Sequence, residues 1–254
     1  MNIKPAQIIL ILMGCFFSCS TFGQLPFITD NAGIMGKWNK QLEMSYGVGF
    51  DNSHRCTNNS VEISPVFTLG ITSKIDIVVG YPFVFSSKIE DSVISRVAGF
   101  SDIGIEVKYS FLDYKFLHLT IKPGLSIPTG NYKFGLGNGK IGYSAFFIST
   151  FTFKRFNINS NLGYIRNDNR CGDAQDIWHV SAGFDYDIKN NAHIVLNSGI
   201  EKNPDVSSKT PPIFTILGLY YCLNENSEIA LGYKFGCTKP ETDHSFIVGT
   251  TFRF

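Results

Sequence analysis

From residue 40 onward, apolar and polar side chains change places at every second position. "QLEMSYGVGF" sets Leu42, Met44, Tyr46, Val48 and Phe50 against Gln41, Glu43, Ser45, Gly47 and Gly49. "SDIGIEVKYSF" sets Ile103, Ile105, Val107, Tyr109 and Phe111 against Asp102, Gly104, Glu106, Lys108 and Ser110. A period of two belongs to extended strands whose faces meet different surroundings. Twelve such segments follow one another, near 40–50, 60–70, 75–85, 101–111, 117–127, 142–153, 156–166, 177–187, 192–201, 212–222, 227–236 and 244–254. Those at 142–153 and 212–222 are apolar on both faces.

The connections alternate as well. "TSK", "LDYK", "KR", "KNN" and "NENS" are tight, whereas "DNSHRCTNN", "SSKIEDSVISRVAG", "PTGNYKFGLGNGK", "NDNRCGDAQD", "KNPDVSSKTP" and "CTKPETD" are longer and mostly polar. That order builds an up-and-down antiparallel sheet with its long loops at one end. The terminal "HSFIVGTTFRF" stops on Phe254, and a bare aromatic strand there would be an open edge. Pairing of the last strand with the first removes the edge, and in lipid such closure is required, because every backbone N–H and C=O needs a partner. The expected fold class is therefore all-β, a transmembrane antiparallel up-and-down β-barrel of about twelve strands, its apolar face toward lipid and its polar face toward the lumen. A soluble sandwich or lipocalin-like barrel alternates in the same way. The number and length of the strands, the aromatics near strand ends (Tyr81, Tyr109, Tyr164, Trp178, Tyr233) and the strand-final Phe254 weigh against it.

Composition agrees with this. Hydrophobic residues make up 44% and charged residues only 17%, yet no apolar run reaches the 18 residues of a membrane helix. A formal net charge of +1, without a block of like charges, gives no nucleic-acid surface. The start, "MNIKPAQIILILMGCFFSCSTFGQ", joins Lys4, an apolar run from Ile8 to Phe17 and small residues before Gln24. It reads as an export leader over 1–23, cleaved before Gln24, which leaves 24–254 as one barrel domain; a lipoprotein site at Leu12–Cys15 is the competing reading. The implied location is the bacterial outer membrane.

The predicted lumen face carries Glu43, Glu62, Asp76, Asp102, Glu106, Asp185 and Glu201 with Lys108, Lys122, Lys234 and Arg253, and also His118, His179 and His193. Both signs on one inner wall suit a cross-strand ion network, and the same groups suit a polar path. The path is assigned to Glu43, Glu62, Asp76, Glu106, Lys108, Lys122, Lys234 and Arg253. One pair can be placed: a turn centred on Tyr114 sets Glu106 opposite Lys122, Val107 opposite Ile121 and Tyr109 opposite Leu119. No catalytic, metal or cofactor site is expected. His179 and Ser181 share a face, but their Cβ atoms stand about 7 Å apart, and the three histidines fall on separate strands without ligand spacing. Cys56, Cys171, Cys222 and Cys237 follow the leader, and closure brings the loops of Cys56 and Cys237 together; pairing and free thiols both remain open. The apolar residues Ile89, Val93, Ile94, Val97 and Phe100 are expected in a long loop, where they either constrict the lumen or pack on neighbouring loops.

The stretch "IKPGLSIPTGNYKFGLGNGKIGYSAFFI", the "NPD" at Asn203–Asp205 and the ending "KPETDHSFIVGTTFRF" together resemble an outer-membrane transporter-like family labelled MetA-pathway of phenol degradation. The likeness runs over nearly the whole chain after the leader. It implies a porin-like barrel that passes small, hydrophobic or aromatic molecules, with outer-membrane lipid and a solute as partners, and it carries no catalytic residues. A last strand ending in Phe254 also resembles the signal read by the barrel assembly machinery. The alternative is a barrel with a closed lumen that binds a partner or serves the envelope structurally.

Overall fold

A computed structural model describes residues 25–52, 56–90, 93–189 and 191–254. The expected leader lies outside them, as does the side chain of Cys56. The described chain holds strands β1 (Lys40–Asn52), β2 (Cys56–Gly70), β3 (Ile75–Gly80), β4 (Phe83–Glu90), β5 (Val93–Phe100), β6 (Ile103–Tyr114) and β7 (Leu117–Ile127). After a 3₁₀ turn at Tyr132–Phe134 come β8 (Gly142–Phe153), β9 (Phe156–Arg166), β10 (Asp176–Lys189), β11 (Ala192–Glu201), β12 (Ile213–Asn224), β13 (Ser227–Gly236) and β14 (His244–Arg253).

Fourteen segments make twelve staves. Against β2, β3 and β4 continue one register, from Gly70↔Asp76 up to Cys56↔Glu90, with a break at Tyr81–Pro82. Pro65, whose carbonyl accepts the Tyr81 amide at 3.2 Å, and Pro82 both fall at that break, and neither brings an N–H to the ladder. β5 and β6 likewise form one stave against β4 and β3, with a one-residue slip at Ser101–Asp102. Each remaining neighbour in sequence is a neighbour in the sheet, and β1 pairs with both β2 and β14. The seam runs from Gln41↔Arg253 to Phe50↔His244. Beyond it, Lys40 and Phe254 exchange both backbone hydrogen bonds, at 2.9 and 3.0 Å. The terminal strand is thus covered by the first one, as the alternation predicts.

One expected loop is wall instead. The length of "SSKIEDSVISRVAG" predicts a loop between strands, but it pairs as the β4–β5 hairpin, Ile89 opposite Ile94 and Ser86 opposite Val97. Residues 75–90 then form a stave about 50 Å long at the usual strand rise, which at a tilt of about 40° is roughly 38 Å of height against a ~30 Å hydrocarbon layer, so its tip rises above the membrane on this side. Ile89, Val93, Ile94 and Phe100 are exposed there rather than folded inward.

The faces sort as the period of two requires. Outward Ile121, Phe147, Leu162, Val180, Leu196, Leu217, Leu231 and Val248 are each exposed by two fifths or more, a continuous apolar belt that fits lipid rather than water. Inward Thr120, Asn159, Asp185, Val195, Asn197, Ile216 and Thr251 are almost wholly buried. A wide empty lumen would leave them open; something fills it.

Candidate functional site

The filler is the segment before β1, which the sequence pattern left without a role. Residues 25–36 cross the lumen in the half nearer the short turns. Leu25, Pro26 and Phe27 lie on β10–β14, at glycines. A Cβ added at Gly249 would stand 2.7 Å from Leu25, at Gly218 and Gly232 2.6 and 2.7 Å from Pro26, and at Gly183 2.9 Å from Phe27. Leu25 and Phe27 also pack on the buried cluster of Val195, Tyr220, Cys222 and Ala230. The wall is therefore hollowed where the strap's apolar end sits.

The middle of the strap is held by polar groups. The amides of Ile28 and Thr29 both donate to Asn197 Oδ1, at 2.8 and 3.2 Å, and Asn197 Nδ2 donates to Ala182 O at 2.8 Å. Asp30 receives Lys108 Nζ on one oxygen and Lys122 Nζ on the other, each at 3.1 Å. The Ala32 amide donates to Thr150 Oγ1 at 2.8 Å, Thr120 Oγ1 donates to Ala32 O at 2.7 Å, and the Met35 amide donates to Asp76 Oδ2 at 2.8 Å. Few strap polar groups are left to water, which is what buried backbone requires.

Lys122 also meets Glu106 at 3.1 Å. The pair expected from the sequence forms, but its register differs. Glu106 lies opposite Gly124 and Tyr109 opposite Ile121, because the turn is Lys115–Phe116 and a bulge falls between Ser110 and Leu112. The shift of two keeps every side chain on its expected face, so Glu106 reaches Lys122 diagonally. Gly124 makes room for this, since a Cβ there would lie 2.9 Å from Glu106 Cγ. The β6–β7 ladder lapses between Glu106/Gly124 and Tyr109/Ile121, where Pro123 has no N–H to donate.

The other path residues separate into groups. Asp76, Glu106, Lys108 and Lys122 belong to the strap's clasp. Arg253 donates to Glu228 at 2.8 Å and to Gln41 at 3.0 Å near the short-turn end, where Glu43 lies on the same inner wall. Lys234 pairs with Glu241 at 2.7 Å toward the long-loop end. Glu62 is exposed and accepts from Ser64 Oγ. Asp102 lies at the one-residue slip between β5 and β6 and caps a long loop, accepting the amides of Gly130 and Asn138 at 2.9 and 2.8 Å. The Asn203–Asp205 loop is similarly self-capped, and the Ser207 hydroxyl and amide on Asp205 hold its carboxyl below the usual range.

The histidines join carboxylates. His118 meets Asp113 at 2.7 Å, and His193 meets Asp185 at 2.9 Å, where Tyr220 Oη also donates at 3.0 Å. His179 Nε2 lies 3.1 Å from Ser181 Oγ and its Nδ1 3.1 Å from Glu201 Oε2. Spacing along the strand did not suggest this contact, because the side chains lean together although their Cβ atoms stay apart. Ser181 is buried, and its residue pairs in both flanking ladders, so its backbone amide is committed to the sheet. His179 thus links Ser181 on its own strand to Glu201 on β11, a cross-strand brace. Cys171 and Cys237 are exposed free thiols, and Cys222 Sγ lies 3.7 Å from the Glu228 carboxylate.

Residues 57–254 match the family described as MetA-pathway of phenol degradation. No curated protein matches the chain. An outer membrane channel from Pseudomonas putida F1 is 10% identical, with 92% of this chain and 98% of that chain covered and a TM-score of 0.68. For the KdgM porin the values are 9%, 84%, 99% and 0.54. For the translocator domain of the autotransporter NalP from Neisseria meningitidis they are 11%, 86%, 89% and 0.52. At such identities the likeness is one of fold, and the fold is that of outer-membrane β-barrels.

Proposed function

The chain belongs to the family described as MetA-pathway of phenol degradation, and from that premise we propose that it is a passive outer-membrane channel for small molecules, hydrophobic or aromatic ones among them, whose lumen rests closed by its own strap. In this reading residues 1–23 are the leader removed on export and 24–254 the barrel domain. Outer-membrane lipid surrounds the apolar belt, and the assembly machinery reads the strand ending at Phe254. The solute passes Glu62 and Lys234 toward one mouth and Glu43 and Arg253 toward the other, with Asp76, Glu106, Lys108 and Lys122 at the constriction.

The observation that carries the reading is the nature of the closure. The strap before β1 crosses the lumen and is held to the wall by hydrogen bonds, ion pairs and apolar contacts alone, and removing it leaves the barrel's ladders intact. The test is ion conductance in planar bilayers of the intact protein and of a variant lacking residues 25–33. Higher conductance after deletion supports the channel. Equally low conductance, with both proteins folded, supports the second reading, a closed structural or partner-binding barrel.

A further inference from the structure

The two ends of the barrel carry different charge, which the formal net charge of +1 conceals. At the short-turn end the exposed cations include Lys37, Lys40, Lys115, Lys154, Arg155 and Lys189. Among the described residues, the exposed side-chain carboxylates there are Glu225 and Asp113, and His118 engages Asp113 at 2.7 Å. The long-loop end is mixed: Arg166 is taken by Asp168 and Asp176, and Lys234 by Glu241. The lysines of the short-turn rim are also seated alike. Lys37 lies over the ring of Trp38, Lys40 over Phe254, Lys115 over Tyr114 and Lys154 over Phe153, with Nζ 5.4 to 6.0 Å from the ring centroid. All four rings are more than half exposed, and Tyr114, Phe153 and Phe254 stand on the outward face, in line with the apolar belt.

We propose that this rim binds anionic phospholipid head groups, each lysine taking a lipid phosphate while the ring beneath it rests against the hydrocarbon. In outer-membrane barrels the short turns lie on the periplasmic side, so the lipids are those of the periplasmic leaflet. Aromatic rings settle at the boundary between hydrocarbon and head groups, and an ammonium held on such a ring stands at the height of the phosphates. The stations are spread around the ring: before β1, across the β1–β14 seam, in the β6–β7 turn and in the β8–β9 turn. A folded protein docked on this end would meet one sector, whereas a head-group layer meets every stave. A zwitterionic head group carries its own cation beside the phosphate, so the attraction selects lipids of net negative charge. The proposal adds to the channel reading and holds whether or not the lumen conducts.

The test is electron paramagnetic resonance of the intact protein in phosphatidylcholine vesicles holding a trace of spin-labelled phosphatidylglycerol or spin-labelled phosphatidylcholine. The immobilised fraction of each label gives its relative association with the barrel. One cation near an anionic head group corresponds to about fivefold in association, and only one leaflet meets the rim, so phosphatidylglycerol is expected to be favoured about threefold over the whole lipid shell. In about 1 M salt, where screening acts within about 3 Å, the two lipids should associate nearly equally. Lys37→Gln, Lys40→Gln, Lys115→Gln and Lys154→Gln together should remove most of the preference, and arginine at the same four positions should keep it. Equal association of the two lipids with the intact protein in dilute salt overturns the proposal, and so does a preference that survives the four glutamines. The salt series needs the intact protein alone, so a preference unmoved by salt overturns the proposal even if the glutamine variant does not assemble.

Discussion

Replacing Asp30 by Asn should release the strap without harming the barrel. Asp30 is the shared counter-ion of Lys108 and Lys122, and both contacts are 3.1 Å long. The Lys108 side chain is 7% exposed, that of Lys122 15%, and that of Asp30 25%. These are shielded charges, to which the near-zero worth of surface pairs does not apply. Removing one member of a buried pair typically costs about 3 to 5 kcal/mol, because the remaining charge is left uncompensated. Lys122 keeps Glu106, so the lower end applies, about 3 kcal/mol; at 1.36 kcal/mol per tenfold that is roughly a hundredfold shift toward the undocked strap. The cost falls on the docked state alone, since both lysines meet lumen water once the strap leaves. Hydrogen exchange at Ala32 and Met35 measures it, and these amides should exchange about a hundredfold faster in Asp30→Asn. Adding Lys108→Met should recover part of the protection, because a neutral pair replaces a lone buried charge. Unchanged exchange in Asp30→Asn would show that the apolar end and the Asn197 clasp hold the strap unaided.

Further outcomes follow from the same geometry. Lys122→Met leaves both Asp30 and Glu106 without it and should cost about 3 to 5 kcal/mol in urea unfolding, with much of the loss recovered when Glu106→Gln is added; equal losses in single and double variants would mean that water screens the pair. Val107→Lys, on the lipid face, should cost about 2 to 4 kcal/mol, whereas Glu62→Lys, exposed on the inner wall, should stay within about 0.5 kcal/mol, and equal losses of folded yield would reverse the two faces. Deleting Phe254 removes its two hydrogen bonds to Lys40 and should reduce membrane assembly in cells more than refolding in detergent; normal insertion of the shortened chain would refute this.

Strand number, closure and the sense of each face were legible because they depend on a single strong periodicity, which a membrane enforces on every strand. Register was less so. The parity of Glu106 and Lys122 survives a shift of two, but the bulge after Ser110 and the turn at Lys115–Phe116 leave no mark in the alternation. The β4–β5 hairpin was hidden because it stands above the lipid, where nothing imposes a polar and an apolar face. The strap carries no periodicity at all, yet it left two traces. Glycines recur on the inner wall at 183, 218, 232 and 249, where a filled barrel interior calls for side chains. Lys108 and Lys122 crowd one level of the wall with Glu106, and the missing carboxylate lies in residue 30.

The seam joins residues 41–50 to residues 244–253, nearly the full length of the chain apart, and this imposes an order in time. Until those two strands pair there is no inside, only a sheet with two open edges, one at β1 and one at β14. The hollow for Leu25–Phe27 is built by β10–β14, so the segment nearest one end of the chain cannot dock before the strands nearest the other end are in place. Sealing the ring and seating the strap therefore use different contacts, and one can be loosened without the other.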